Sequence, residues 1–318
     1  MPRSSHETRA TSDERRTNMP DKDQFETLGD GLLVRAPAKI NLSLLIAGKR
    51  PDGFHELETI MAKVNFYDQI LIEQGKKAGI ELICNGPEWA PEGEENLVHK
   101  AAKILLESCG QGVDIKITLT KNIPAGSGLG SASSDAAATL MGLNKYLDLS
   151  LPNRELAKLA LKLGSDVAFF LDGPLAFCTG KGEKIKKLDE NFNFLALLIL
   201  PDVSTPTKEV YANYKHNPAL YKKPNARIND LLEKNRIDLV LKMCTNMLEI
   251  SCFSLYKELA DLKAKIESLG IRPLCLSGSG SAMFYIIDNG DIEKARENRD
   301  KLEEKTGCKS VIVSNNKW

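Results

Sequence analysis

One segment constrains this chain more than any other: Pro124-Ala125-Gly126-Ser127-Gly128-Leu129-Gly130-Ser131-Ala132-Ser133-Ser134, three glycines and four serines between two elements of different period. Before it, Val113, Ile115, Ile117 and Leu119 alternate with Asp114, Lys116 and Thr118, which predicts a half-buried strand. After it, Ala136–Leu147 is rich in alanine and leucine, and Leu156, Leu159, Ala160 and Leu163 recur at helical spacing, so two helices follow. In a strand-loop-helix unit, Gly128 and Gly130 remove side chains that would keep a ligand from the backbone, and the helix turns its free amides toward the loop. That is an anion site suited to phosphate. No Lys-Ser/Thr pair closes it as in a Walker loop, Ser131 stands where a dinucleotide fingerprint needs its third glycine, and no HRD or DFG follows. A tight turn needing glycine for steric reasons alone would use the same residues.

At 318 residues, 42% hydrophobic and 27% charged, the chain is long enough for two domains with real cores. Its 43 basic and 43 acidic residues leave no global field for nucleic acid or an anionic membrane, so any polyanion site is local. The longest apolar run, Phe194–Leu200, is closed by Pro201; it is too short to span a bilayer and predicts a buried strand. The seven cysteines (Cys84, Cys109, Cys178, Cys244, Cys252, Cys275, Cys308) are scattered without CxxC spacing, which predicts free thiols in a reducing cytosol rather than a disulfide framework or a zinc site. Residues 1–28 mix charged and small polar side chains with almost no large apolar ones, and their acids argue against a transit peptide. A disordered tail is therefore expected over 1–30, a first domain over 31–190 and a second over 191–318.

Strands are expected at Leu33–Ala36, Ile40–Ile46 and Ile70–Glu73, and Asn96 is placed to cap a helix that ends at Gly110. Beyond residue 190 a buried strand, helices between Lys208 and Leu269, a strand at Ala282–Ile287, a helix at Ile292–Glu304 and a strand at Ser310–Val313 predict an α+β second half. Three further segments carry polar chemistry. Lys39, in Ala36-Pro37-Ala38-Lys39-Ile40-Asn41-Leu42, needs a carboxylate or a phosphate as partner if it points from a buried strand. Asp166, in Gly164-Ser165-Asp166, is either a helix cap or a chemical group. Leu276-Ser277-Gly278-Ser279-Gly280-Ser281-Ala282 suits a hairpin or bulge as well as a site.

Together, in order and spacing, the segments at 36–42, 124–134, 164–166 and 276–282 resemble the GHMP superfamily of small-molecule kinases. The resemblance implies two α+β units, an N-terminal ribosomal-protein-S5-like domain and a C-terminal ferredoxin-like domain, with ATP and substrate in the cleft between. It also implies Mg²⁺, which would lean on phosphate oxygens, with Ser133 or Ser134 as possible contacts. By the same resemblance Lys39 and Asp166 are catalytic. ATP is bound by Asn96 on the adenine side and by the phosphate loop Pro124, Ala125, Gly126, Ser127, Gly128, Leu129, Gly130, Ser131, Ala132, Ser133 and Ser134. Gly48-Lys49-Arg50-Pro51-Asp52-Gly53-Phe54-His55-Glu56-Leu57 resembles the signature of a subgroup, in non-mevalonate isoprenoid synthesis, whose substrate carries a cytidine diphosphate. Asn41, Phe54, His55, Lys121 and Tyr211 then fall at the substrate, with Phe54 where the subgroup usually has tyrosine. Kinases of homoserine, mevalonate or a sugar are the alternative within the superfamily. Retention of both Lys39 and Asp166 speaks against an inactive binding protein, and the sequence carries no reading of oligomeric state.

Overall fold

The computed structural model describes residues 23–110, 112–188 and 193–318. Strand β1 (Phe25–Leu28) turns through Gly29, at φ 57°, into β2 (Gly31–Lys49) and pairs with it from Phe25↔Val34 to Leu28↔Gly31. The expected tail is therefore corrected over residues 25–28, while residues 1–22 lie outside the described part. Four residues of mixed polarity carry no readable period, and only the ladder offered by β2 makes them a strand.

β2 is 19 residues long, buried almost throughout, and pairs antiparallel with the 20-residue β3 (His55–Gln74) from Leu32↔Ile72 to Lys49↔His55. The sequence shows this ribbon only in fragments, because Pro37 and the polar Lys39 and Asn41 interrupt the apolar pattern. Pro37 is tolerated because the register shifts between Pro37 and Ala38, a bulge of the kind that spares a ladder donor. β3 then divides its other edge. Its first half, Leu57–Ala62, pairs with β6 (Leu175–Gly180), and its second half, Gln69–Gln74, pairs with β5 (Ile115–Thr120). β4 (Ile80–Asn85) lies parallel to β5, connected by α1 (Leu97–Ser108), and β7 (Lys184–Lys187) closes a hairpin with β6. Helices α1, α2 (Ser131–Tyr146), α3 (Asn153–Leu163) and α4 (Val167–Leu171) bury one apolar cluster, with Val34, Ile70, Ile72 and Ile117 against Ala137, Leu140, Leu156 and Phe169.

The second half runs β8 (Leu195–Leu200), α5 (Thr207–Ala212), α6 (Pro218–Glu233), α7 (Ile237–Val240), β9 (Thr245–Asn246), α8 (Glu249–Leu255), α9 (Lys257–Ser268), β10 (Cys275–Leu276), β11 (Met283–Ile287), α10 (Ile292–Thr306) and β12 (Lys309–Ser314). β10, β11, β8 and β12 form an antiparallel sheet in that order. With helices between β8 and β10 and again between β11 and β12, this is the ferredoxin-like βαββαβ order. We place the border between the halves after β7. It is not a clean one: β9 leaves the second half to pair in parallel with Ser43–Leu44 of β2, and one apolar cluster runs from Ala38, Ile40 and Leu42 to Leu197 and Phe284.

One cysteine expectation is also corrected. Pairing of β9 with β2 carries Cys244 to Cys275, Cα–Cα 5.2 Å, and the two form a disulfide; among the described residues the other five cysteines are free. Sequence spacing could not show this, because the approach is made by tertiary strand pairing. Among the described residues no helix is long and apolar enough to cross a membrane.

Starting the chain at Gly31 removes the β1 ladder and the bond from the Arg35 amide to the Gln24 carbonyl, 2.9 Å. A melting temperature lower by about 2–4 °C than that of a chain starting at Asp23 is expected. Equal melting temperatures would show that β1 contributes nothing.

Candidate active site

The glycine-rich loop joins β5 to α2, as its flanking periods predict. Gly126, Gly128 and Gly130 all have positive φ (65°, 75° and 72°). Their first reason is steric. A Cβ on Gly128 would lie 2.1 Å from the Ser277 carbonyl oxygen, and one on Gly130 would lie 2.9 Å from Phe170 and 3.0 Å from the Lys39 stem. The glycines thus admit neighbouring protein as well as opening the backbone, so the steric reading holds alongside the anion-site reading. The neighbour at Gly128 is the second glycine cluster. The Ala282 amide donates to the Ser127 carbonyl (3.0 Å), and the Ser277 hydroxyl donates to the Gly128 carbonyl (3.1 Å). The 276–282 segment is therefore a brace for the loop. α2 starts earlier than its apolar pattern suggests, at Ser131, with Gly130 as an N-cap that offers no side chain, so no capping side chain covers its first-turn amides.

Lys39 is 4% exposed, on β2 behind this loop. Its ammonium donates to Asn41 Oδ1 and to the Gly128 carbonyl, 2.8 Å, while Asn41 Nδ2 donates to Thr59. Asn41 therefore orients the lysine. Burial lowers the Lys39 pKa, and the charge of Asp166 opposes that shift. Asp166 occupies the N-cap position of α4, yet its side chain makes no capping hydrogen bond. The capping alternative is thereby removed. Its carboxylate is half-buried and close enough to act electrostatically on Lys39, Cys178 and Tyr211.

Lys121 is 3% exposed and donates to Asp68, to Ser131 and, at 2.8 Å, to Asp135. Asp68 also accepts from the backbone amides of Asn122 (2.6 Å) and Ile123 (2.9 Å). The lysine expected at the substrate ties the end of β5 to the first turn of α2 through these contacts. Burial and the Asp68 charge push the Asp135 carboxyl well up, with Lys121 pulling it back. Sequence alone could not reveal that two buried acids converge on this amine. Asn96 is an N-cap as predicted: Oδ1 accepts from the Val98 amide (2.9 Å), and Nδ2 donates to the Pro91 carbonyl (2.7 Å).

On the far side, Tyr211 packs on His55 (ring centroids 5.3 Å apart) and Tyr214 meets the same ring edge-on at 5.5 Å. Burial holds the His55 pKa below its ordinary value, helped by Lys49 and His216, so the ring is neutral at pH 7. Phe54 is 57% exposed, which removes a core role. The Lys181 ammonium lies 4.1 Å from its ring centroid and 3.0 Å from Asp52 Oδ2. The sequence reading missed Lys181. It stands between Gly180 and Gly182 in the β6–β7 hairpin, and a Cβ on Gly182 would lie 3.4 Å from Asp166 Oδ1.

A glycine-rich loop, a buried lysine, an aspartate free of capping duty and an aromatic cluster are therefore brought together where the two halves meet. Residues 96–174 match the GHMP kinases N terminal domain and residues 228–303 the GHMP kinases C terminal domain. A curated 4-diphosphocytidyl-2-C-methyl-D-erythritol kinase of Clostridium botulinum (strain Eklund 17B / Type B) is 37% identical over 272 residues, 86% of this chain and 96% of that one. The chain belongs to the 4-diphosphocytidyl-2-C-methyl-D-erythritol kinase family of the GHMP kinases. A Bacillus cereus (strain B4264) relative of the same name is 37% identical over 257 residues, 80% of this chain and 88% of its own. A crystal structure of 4-(cytidine 5'-diphospho)-2C-methyl-D-erythritol kinase superposes with a TM-score of 0.72 at 31% identity, covering 90% of this chain and all of that one.

Within this GHMP kinase, the position of Lys121 separates two roles. Lys121→Met leaves Asp68 and Asp135 without their shared cation and should destabilise the fold by about 3–5 kcal/mol in chemical denaturation. An unchanged denaturation midpoint with a raised KM for the acceptor would return Lys121 to the substrate.

Proposed function

We propose that this GHMP kinase transfers the γ-phosphate of ATP to the 2-hydroxyl of 4-diphosphocytidyl-2-C-methyl-D-erythritol, in the cytoplasm, as a step of non-mevalonate isoprenoid precursor synthesis. The observation that carries this reading is Asp166: an uncapped carboxylate whose charge reaches Lys39 beside the phosphate loop and Tyr211 beside His55. One acid thus faces both the nucleotide side and the acceptor side.

Phosphoryl transfer asks for positioning and charge stabilisation. The first-turn amides of α2 and the Lys39 ammonium face the transferring phosphate, and Asp166 accepts the proton of the acceptor hydroxyl. Lys39 keeps its place because Asn41 and the Gly128 carbonyl hold it on two sides. Neutral His55 supplies polar recognition of the cytosine, and Phe54 gives it an exposed ring face. For Mg²⁺, the residues present fit a site that relies on phosphate oxygens. No cluster of three metal-ligating side chains occurs among the described residues, but the Ser134 hydroxyl is buried at the loop without a partner and would hold the ion in preference to Ser133. When bound, Mg²⁺ neutralises the ATP phosphates.

ATP consumption with a panel of acceptors tests the substrate: turnover with the cytidine-diphosphate polyol, and none with homoserine, mevalonate or hexoses, is expected. Asp166→Asn should lower kcat by about 10²- to 10⁴-fold with ATP affinity retained; an equally active variant would remove Asp166 from the chemistry.

Phe54→Ala should lower kcat/KM for the cytidine substrate by about 5- to 150-fold, the equivalent of losing one base stack, and leave the melting temperature unchanged because the ring is exposed. Parallel loss of ATP affinity would sink the stacking role.

A further inference from the structure

The antiparallel register of β2 and β3 sets Lys39 directly opposite a second lysine, Lys63. Lys63 is 1% exposed, among the largest fully buried side chains of the protein. A buried ammonium must find acceptors. Its Nζ donates to the carbonyl oxygens of Phe170 (3.0 Å) and Asp172 (2.5 Å) and to a main-chain oxygen of Trp318 (3.4 Å), and the Phe169 ring centroid lies 5.9 Å away. The first two carbonyls belong to the C-terminal end of α4 and the residue that caps it.

α4 has five residues, and a helix of that length does not hold itself in place. All five of its residues are buried against α2 and α3, which seats its side, and its ends are set by what grips them. At the C-terminal end the grip is Lys63. At the N-terminal end stands Asp166, the N-cap residue, without a capping bond of its own. Phe170 connects the two: its carbonyl accepts from Lys63, and its ring fills the space beside Gly130 and the Lys39 stem. Lys63 therefore fixes, through one rigid turn of backbone, where the carboxylate stands relative to Lys39 and the phosphate loop.

We propose that Lys63 is a positioning residue for the transfer step, seating α4 so that Asp166 meets the acceptor hydroxyl in line with the phosphate. The inference rests on the role of Asp166 proposed above. Lys63 lies behind the helix and contacts neither nucleotide nor acceptor, so its effect belongs in kcat.

The test is a double-mutant cycle on the full chain, with kcat and KM measured for ATP and for the cytidine-diphosphate polyol. Misplacement of a reacting group by about 1 Å can cost about 10²-fold. Lys63→Met should accordingly lower kcat by about 10- to 100-fold and leave both KM values within about threefold. Introduced into Asp166→Asn, the same change should cost less than about threefold, because the carboxylate it positions is already gone. Should the Met variant fail to fold, Lys63→Gln keeps amide donors for the carbonyls and carries the same cycle, with a smaller loss expected. An undiminished loss in the Asp166→Asn background, or a raised KM with unchanged kcat, overturns the proposal while leaving the proposed function standing. Full activity of Asp166→Asn overturns the proposal together with the role of Asp166 in the chemistry, while the acceptor panel decides the substrate separately.

Discussion

The pairing of β2 with β3 is the constraint on which everything else depends. Two strands of 19 and 20 residues, buried along most of their length, hold Lys39, Asn41 and Lys63 in one register, and the outer edge of β3 seats the β5 that leads to the phosphate loop and the β6 that leads to the Lys181 hairpin. Once that register forms, the positions of the polar groups follow. A slip of one residue would turn every side chain on the slipped strand to the opposite face. The apolar clusters on both sides of the ribbon, one under α1–α4 and one under the second sheet, make such a slip prohibitive.

Three lysines are buried at or near the cleft, and each is satisfied differently. Lys39 has an amide and a carbonyl, Lys63 has backbone carbonyls, and Lys121 has two carboxylates and a hydroxyl. Only the first is bonded to a carbonyl of the glycine-rich loop. A buried cation already matched by two acids, as at Lys121, has little attraction left to offer a ligand, whereas Lys39 has neutral hydrogen-bond partners and a single acid, Asp166, acting on it.

Much of this was legible in the sequence. The phosphate loop, the N-cap at Asn96 and the strand at Leu195–Leu200 follow from local period and glycine chemistry, which tertiary contacts reinforce. The first half of β3 was not legible, because His55, Glu56 and Glu58 look like a solvated face until Tyr211 and Tyr214 pack on His55 and α6 reaches Glu58, which accepts from Tyr221 (2.9 Å) and from Asn225. Lys63 was hidden for a similar reason: a lysine in a strand pattern reads as an outward residue, and its carbonyl partners lie on distant segments. The same holds for Lys181 over Phe54 and for Cys244 against Cys275, since contacts between remote segments leave no periodic trace.

The seating of Gly128 against Ser277 joins the two halves through close backbone approach, with the Ala282 amide on the Ser127 carbonyl and the Ser277 hydroxyl on the Gly128 carbonyl. The shape of the nucleotide cradle is therefore completed by residues from the other end of the chain. Neither half can drift in sequence at this seam without the other, and a chimaera joined after β7 from two dissimilar relatives would bring mismatched surfaces to the place where the phosphates lie. Variation in the last third of the protein would thus reach the loop proposed to hold ATP.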